Sequence, residues 1–132
     1  MNYLLDTSAL LAHYRGEAGA TRVQELFEDP DQTIIIASIT ITEFSRRMIE
    51  LGAAQADIEG ALSDYERMMA AVVAVDRAIA VHAFALGRRA SKRLPLADAL
   101  IAATAANREA VLVHRDPHFD AMPAEDLRQE KL

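Results

Sequence analysis

Apolar and polar positions follow two alternating patterns along the chain. Short continuous apolar runs are typical of strands buried on both faces of a sheet. Between them lie longer stretches whose apolar residues recur every three or four positions, as on one face of a helix. The runs that we assign to strands are YLL at 3–5, TIIIA at 33–37, VVAV at 72–75 and VLVH at 111–114.

The helical stretches occupy the segments between these runs. We predict helices over 39–51, 55–71 and 76–93, and a further helix that starts at Pro95 and runs to about Asn107. Strands separated by helices imply a parallel sheet with helices on both faces. We therefore expect an α/β fold with three α/β/α layers and a central, mainly parallel sheet of four to five strands. A fifth short strand after Phe119 has little support, because the segment DAMPAEDLRQEKL is mostly polar.

Composition narrows the class of protein. A chain of 132 residues, 52% of them hydrophobic, suits one compact domain spanning 1–132. The chain has no cysteine, so disulfides and thiolate metal sites are excluded. No apolar run approaches the roughly 18–20 residues of a membrane span, and the N-terminus is a poor signal peptide. We expect a soluble, cytoplasmic protein without a membrane partner. The net charge of −6 argues against nonspecific coating of nucleic acid.

Four acidic residues fall where the predicted strands end or helices begin. Asp6 directly follows the first strand, Asp116 lies two residues past the last, and Glu43 lies in the first turns of the helix after the second. Asp98 interrupts the apolar segment LPLADALIAATA at 94–105, and its helix should begin at the same sheet edge. Ligands bind at the carboxyl ends of parallel strands, so these acids can converge.

Convergence of carboxylates has an energetic consequence. Two unit charges about 5 Å apart repel by about 3 kcal/mol at an effective dielectric of about 20. A cluster of four must either take up protons or hold a cation. Ligation by carboxylates alone suits Mg²⁺ or Mn²⁺, and such ions promote phosphodiester hydrolysis by activating water.

Each acid also has a purely local interpretation. Asp6 could cap the following helix, and Glu43 could close a capping box with Thr40. Asp116 could initiate a turn, and Asp98 could favour the positive helix N-terminus. Capping does not exclude metal binding, so the joint spacing of the four residues is what discriminates between these interpretations.

With these motifs the chain resembles the PIN-domain family, in particular the VapC-type ribonuclease toxins of prokaryotic toxin–antitoxin pairs. The resemblance covers nearly the whole chain and rests on LLDTSALL at the N-terminus, ITITEF at 39–44, LPLADALIAATA at 94–105 and VLVHRDPHF at 111–119. It maps the catalytic and metal-binding acids of the family onto Asp6, Glu43, Asp98 and Asp116.

The resemblance implies a Mg²⁺- or Mn²⁺-dependent endoribonuclease with one or two ions per active site. It further implies inhibition by a cognate VapB-type antitoxin and a homodimer, in some cases within a larger toxin–antitoxin assembly. Ser8 falls on a position whose small polar side chain helps to arrange the acids. His114 departs from the Thr, Ser or Asn common in the family two residues before the last acid. It could bond the acid, contact phosphate or make activity pH-sensitive, or it could be a tolerated strand-end residue.

Basic residues supply a candidate RNA-binding surface. We expect phosphate contacts from the residues of GRRASKR and from one arginine beside the last acid, with Arg46 and Arg47 as further candidates. The predicted set is Arg88, Arg89, Lys92, Arg93 and Arg115. The alternative interpretation of GRRASKR is a solvated helix end whose cations favour the helix C-terminus.

Other functions compete with the nuclease. A zinc site using His114 and His118 is disfavoured, because Pro117 breaks any helix between them and no third histidine is near in sequence. A phosphatase with an aspartate nucleophile would want a second acid where Ser8 stands. The best alternative of another class is a non-catalytic PIN-like regulatory or protein-binding module that retains an acidic pocket.

Overall fold

The computed structural model describes all 132 residues as alternating strands and helices. The first half contains β1 (Asn2–Leu5), α1 (Thr7–Arg15), α2 (Ala20–Glu28), β2 (Thr33–Ala37), α3 (Ser38–Glu50) and α4 (Gln55–Met68). The second half contains β3 (Ala71–Val73), α5 (Arg77–Arg89), α6 (Leu96–Asn107), β4 (Val111–His114), a short 3₁₀ helix (Pro117–Ala121) and β5 (Gln129–Lys131). The predicted alternation of strands and helices up to β4 is confirmed.

The five strands form one parallel sheet in the order β3-β2-β1-β4-β5. β1 lies at the centre, where Tyr3 pairs with Ile34 of β2 on one side and with Val111 of β4 on the other. The fifth strand does form, at the sheet edge, with Val113 of β4 opposite Glu130. Its polar sequence explains its weak signal, because an edge strand pairs on one side only and need not be apolar.

Side chains of the central strands alternate between two cores. Leu4 belongs to the core beneath α5 and α6, whereas the next residue, Leu5, belongs to the core beneath α1, α3 and α4. Successive side chains of a strand point to opposite faces, so each strand contributes to both cores. The expected three-layer α/β/α architecture is confirmed.

Three predicted elements extend beyond the observed ones. The helix predicted over 55–71 is α4, which ends at Met68. The helix predicted over 76–93 is α5, which ends at Arg89, and the backbone N–H of Ser91 donates to the carbonyl of Ala121 instead. Lys92 and Arg93 therefore lie in a loop rather than on a helix end. The strand predicted over 72–75 is β3, which ends at Val73, and the N–H of Val75 donates to the Ser38 hydroxyl.

No helix in the molecule combines the length and the apolar character that crossing a bilayer requires.

Candidate metal centre and active site

Asp6 occupies the turn from β1 into α1. Its Oδ1 accepts hydrogen bonds from the backbone N–H of Ala9 at 2.8 Å and from the Ser8 hydroxyl at 2.7 Å, so the side chain caps α1 as one interpretation predicted. Only 3% of the residue is exposed. Burial raises the pKa of Asp6 to about 7 despite these two hydrogen bonds, and the charges of Asp116 and Asp98 raise it further. Capping therefore uses Oδ1 of Asp6, and burial makes the carboxylate costly to ionise.

Ser8 joins the two turns that carry the first and last acids. Its hydroxyl donates to Asp6 Oδ1 and accepts the backbone N–H of Arg115 at 2.8 Å. The N–H of Asp6 in turn donates to the carbonyl of Val113 in β4. These bonds fix the β1–α1 turn against the end of β4.

Glu43 lies half-buried in α3, and its Oε1 accepts a hydrogen bond from the Thr7 hydroxyl at 2.6 Å. The capping box with Thr40 does not form. The helix begins at Ser38, its N-cap Ala37 offers no side-chain bond, and Thr40 Oγ1 is buried without a partner. Because α3 starts earlier than the box requires, Glu43 is free to face the end of β1 instead of the N-terminus of its own helix.

Asp98 lies in the first turn of α6, as predicted, and is buried. Its Oδ2 is 2.8 Å from Nδ1 of His118. Burial raises the pKa of Asp98, and so do the charges of Asp116 and Glu43, whereas the bond to His118 opposes this rise. The Asp98 carboxylate thus lies near the acids Asp116 and Glu43 and bonds to the His118 imidazole, although its neighbours in sequence are apolar.

Asp116 caps the 3₁₀ helix, its Oδ1 accepting the backbone N–H of His118 at 2.9 Å, so its turn-forming interpretation also holds. Its own N–H donates to Nδ1 of His114 at 3.1 Å. The other ring nitrogen of His114, Nε2, donates to Gln129 Oε1 of β5 at 2.8 Å. His114 is fully buried and burial lowers its pKa. It therefore supports the backbone of Asp116, and the suggested phosphate contact is wrong because neither nitrogen is free.

His118, which the sequence suggested only as half of a disfavoured zinc pair with His114, lies at the acidic site. Its Nδ1 lies 2.8 Å from Asp98 Oδ2 and 3.1 Å from Asp116 Oδ1. The bond to Asp98 and the charge of Asp116 raise the pKa of His118. Its local signal was the DPHF turn, in which Pro117 opens a 3₁₀ turn. The zinc pair with His114 does not form, because His114 is turned away and fully bonded.

All four acids line one cavity of about 410 Å³. Within it, Asp98, Asp116 and the adjoining His118 offer ligand atoms within 4.8 Å of one another, close enough to hold a metal ion. Asp6 and Glu43 lie along the same cavity but do not belong to this tightest group. Carboxylate oxygens with one imidazole nitrogen are a donor set that fits a divalent cation. All four acids thus line the same cavity, and two of them belong to the group of ligand atoms within 4.8 Å of one another.

The basic residues divide into separate groups. Arg46 and Arg47 line the acidic cavity, and Lys92 and Arg93 line a neighbouring cavity that His118 also borders. Arg89 does not face either cavity, since its Nε is 2.5 Å from Asp126 Oδ2.

The two remaining predicted cations lie elsewhere. Arg88 borders a third cavity together with Phe84 and Leu96. Arg115 follows β4, where its guanidinium is 3.7 Å from Glu17.

This fold and cavity define an α/β protein with an acidic centre suited to a divalent cation at the carboxyl edge of its sheet. The sequence matches the PIN domain family over residues 3–125, and the chain belongs to this family. The family resemblance stated above is confirmed. No curated protein sequence matches the chain significantly.

Several solved structures share the fold. VapBC2 from Rickettsia felis, crystallised with a DNA fragment from its promoter, is 19% identical over 100% of this chain and 99% of that chain, with a TM-score of 0.78. VapBC-1 from nontypeable Haemophilus influenzae is 21% identical over 99% and 98%, with a TM-score of 0.74. A toxin–antitoxin complex from Klebsiella pneumoniae is 25% identical over 92% of each chain, with a TM-score of 0.68.

Proposed function

We propose that this protein is a VapC-type toxin, an endoribonuclease that depends on one or two Mg²⁺ or Mn²⁺ ions and is inhibited by a cognate VapB-type antitoxin. The observation that carries the proposal is the single cavity shared by Asp6, Glu43, Asp98 and Asp116 in a chain of the PIN domain family. The proposal treats residues 1–132 as one PIN domain.

The electrostatics of the cavity support a bound cation. Burial and mutual repulsion raise the pKa values of both Asp6 and Asp98. Buried carboxylates are costly to ionise unless an opposite charge compensates them. A divalent ion supplies that charge and so allows the acids to stay ionised at neutral pH.

The four acids divide into two pairs with different tasks. Asp98 and Asp116 would hold the ion, because an oxygen of each belongs to the group of ligand atoms that lie within 4.8 Å of one another. Asp6 is fixed by Ser8 and Glu43 by Thr7, so both can orient water at the ion. When bound, the ion supplies activated water and stabilises the charge that develops on the phosphate oxygens.

Cations on two sides of the acidic centre suit an RNA backbone. Arg46 and Arg47 lie on one side, and Lys92 and Arg93 border the cavity beyond His118. Basic side chains so arranged bind phosphates without reading sequence. The chain has no tryptophan and few other aromatic residues, so we expect backbone contacts and RNA shape to dominate recognition.

Exposed apolar side chains support an antitoxin partner. The structural relatives from R. felis and H. influenzae are VapBC complexes. Among the apolar residues of α3 and α4, Met48 and Ile58 are buried in the core, whereas Ile49 and Met68 are exposed. These exposed residues offer an apolar surface to an amphipathic helix of an antitoxin.

A second exposed apolar surface supports the homodimer. Phe84 of α5 is 71% exposed and Leu96 at the start of α6 is 78% exposed, and both line one cavity. Val81, one turn before Phe84, is also exposed. Grouped large apolar side chains of this kind mark protein interfaces.

The main competitor is a non-catalytic PIN-like module that retains an acidic pocket. A nuclease assay with Mg²⁺ or Mn²⁺ separates the two functions, using wild type, the Asp98→Asn variant and an EDTA control. We expect cleavage by wild type alone and only with the metal. Cleavage that is equal in both proteins, or that survives EDTA, contradicts the proposed mechanism. Sequencing the RNA ends produced on expression without antitoxin would identify the substrate.

A further inference from the structure

His118 stands where a ligand of the ion would stand. Bonds of about 2.1 Å at right angles place neighbouring ligand atoms of an octahedral ion about 3.0 Å apart. The Nδ1 atom of His118 is 2.8 Å from Asp98 Oδ2 and 3.1 Å from Asp116 Oδ1. Both distances from His118 thus match the separation of adjacent ligands around one ion, and the ligand atoms of all three residues lie within 4.8 Å of one another.

The backbone holds His118 in this position. Its N–H donates to Asp116 Oδ1 at 2.9 Å, within a 3₁₀ turn that Pro117 begins. The next residue, Phe119, is fully buried in the core. The side chain itself is 55% exposed and makes no other hydrogen bond, so no further partner competes for its ring nitrogens.

We propose that His118 is a direct nitrogen ligand of the metal ion, together with Asp98 and Asp116, and that the site therefore selects a transition-metal ion such as Mn²⁺ over Mg²⁺. This inference rests on the metal dependence proposed above. Mg²⁺ strongly prefers oxygen ligands, whereas imidazole is a good ligand for first-row transition metals. A carboxylate-only site would lack this preference.

His118 is the only histidine in a position to ligate. His114 is buried, with Nδ1 accepting from Asp116 and Nε2 donating to Gln129. His13 bonds Tyr65 and Gln24. His82 lies on α5 and lines neither the acidic cavity nor its neighbour. A histidine nitrogen detected at the ion would therefore come from His118.

Pulsed electron paramagnetic resonance of the full chain loaded with Mn²⁺ at pH 8 tests this assignment. We expect nitrogen modulation in wild type and in the matched control His82→Gln, and none in His118→Gln. Titration calorimetry should show that His118→Gln weakens Mn²⁺ binding by about 10-fold or more. Mg²⁺ binding should change by less than about 3-fold, since oxygen ligands remain.

Two results would overturn the inference in different ways. In the first, Mn²⁺ binds saturably, but wild type shows no nitrogen modulation or the modulation persists in His118→Gln. His118 would then not be a ligand, and the proposed nuclease function would be unaffected. In the second, Mn²⁺ does not bind saturably at all, which would contradict both the role of His118 as a ligand and the proposed metal-dependent nuclease. If His118→Gln did not fold, wild type labelled with ¹⁵N-histidine would still decide, because a ligating histidine must change the modulation pattern.

Discussion

The hydroxyl of Thr7 donates a hydrogen bond to Oε1 of Glu43 across 2.6 Å. The two residues are 36 positions apart, and this bond joins the start of α1 to α3 directly at the acidic cavity. It fixes one carboxylate oxygen of Glu43 and leaves the other for the cavity. Thr7 is thus a positioning residue for an acid that lies off the apolar stripe of its helix.

Thr7→Val tests this role, because it keeps the shape of the side chain and removes its hydrogen bond. A bond to a charged group is worth about 1.5–3 kcal/mol, and loss of such orienting partners lowers metal affinity or activity by about 10–100-fold. We expect a fall of this size in metal-dependent RNA cleavage. Thr42→Val, at an exposed position of α3, should leave cleavage unchanged. If Thr7→Val cleaved RNA as well as wild type does, Thr7 would not be a positioning residue for Glu43.

The pKa of Asp6 predicts how stability depends on pH in metal-free protein. Burial raises this pKa from the ordinary 3.8 to about 7 in the folded state. Between these values the folded protein holds a proton that the unfolded chain releases, so stability contributed by Asp6 falls as pH rises from about 4 to about 7. Each unit of pKa difference is worth about 1.4 kcal/mol, which limits the loss to about 4 kcal/mol.

Urea denaturation in EDTA at pH 5 and pH 8 measures this loss. We expect Asp6→Asn to lose less stability than wild type over the same interval, since it carries no ionisable group there. Added Mn²⁺ should restore stability to wild type at pH 8 by binding the folded state. Identical pH dependence in both proteins would show that Asp6 is not destabilised by burial.

Much of the fold was predictable because strand burial leaves a local signal. TIIIA and VLVH coincide with β2 and β4, since both strands are covered on two faces and read as continuous apolar runs. β5 was barely visible because its polar residues pair with only one neighbour. The end of α5 was misplaced because Lys92 and Arg93 are compatible with a helix, whereas the backbone becomes extended at Ala90 and the N–H of Ser91 bonds to Ala121.

The acidic site was predictable from topology, and its fine structure was not. Asp6 lies one residue and Asp116 two residues beyond strands whose carboxyl ends share one edge of the sheet, so their proximity follows from strand order. The contact of His118 with Asp98 spans 20 residues and depends on a 3₁₀ turn. Likewise, the position at which α3 begins decides whether Glu43 pairs with Thr40 in a capping box or accepts a hydrogen bond from Thr7. Sequence patterns locate helix ends poorly.

His114 should matter for stability and for activity at once. His114→Leu introduces an apolar side chain of similar size and leaves the N–H of Asp116 and the side-chain amide of Gln129 without their hydrogen-bond partner. Unsatisfied buried groups cost about 1–3 kcal/mol each, so two of them predict a destabilisation of about 2–6 kcal/mol in urea denaturation. The turn that carries Asp116 loses its support, so cleavage should also fall. A variant as stable and as active as wild type would make His114 an ordinary core residue.

The salt dependence of RNA binding tests the division among the basic residues. In an Asp98→Asn background, which prevents cleavage, Lys92→Gln with Arg93→Gln should lower the slope of log affinity against log salt by about 1–2, because each lost phosphate contact lowers it by about one. The matched pair Arg88→Gln and Arg89→Gln should change the slope less, because Arg89 is already paired with Asp126. A larger change in slope for the Arg88 and Arg89 variant than for the Lys92 and Arg93 variant would indicate that the RNA binds along α5.

Anomalous diffraction from crystals soaked in Mn²⁺ tests the central claim most directly. We expect a manganese peak in the cavity of the four acids, in contact with Asp98 and Asp116 and within reach of Asp6 and Glu43 through water. The Asp98→Asn, Asp116→Asn double variant should show no such peak. A wild-type crystal at saturating Mn²⁺ with no peak in this cavity, or with its ion bound elsewhere, would contradict the account.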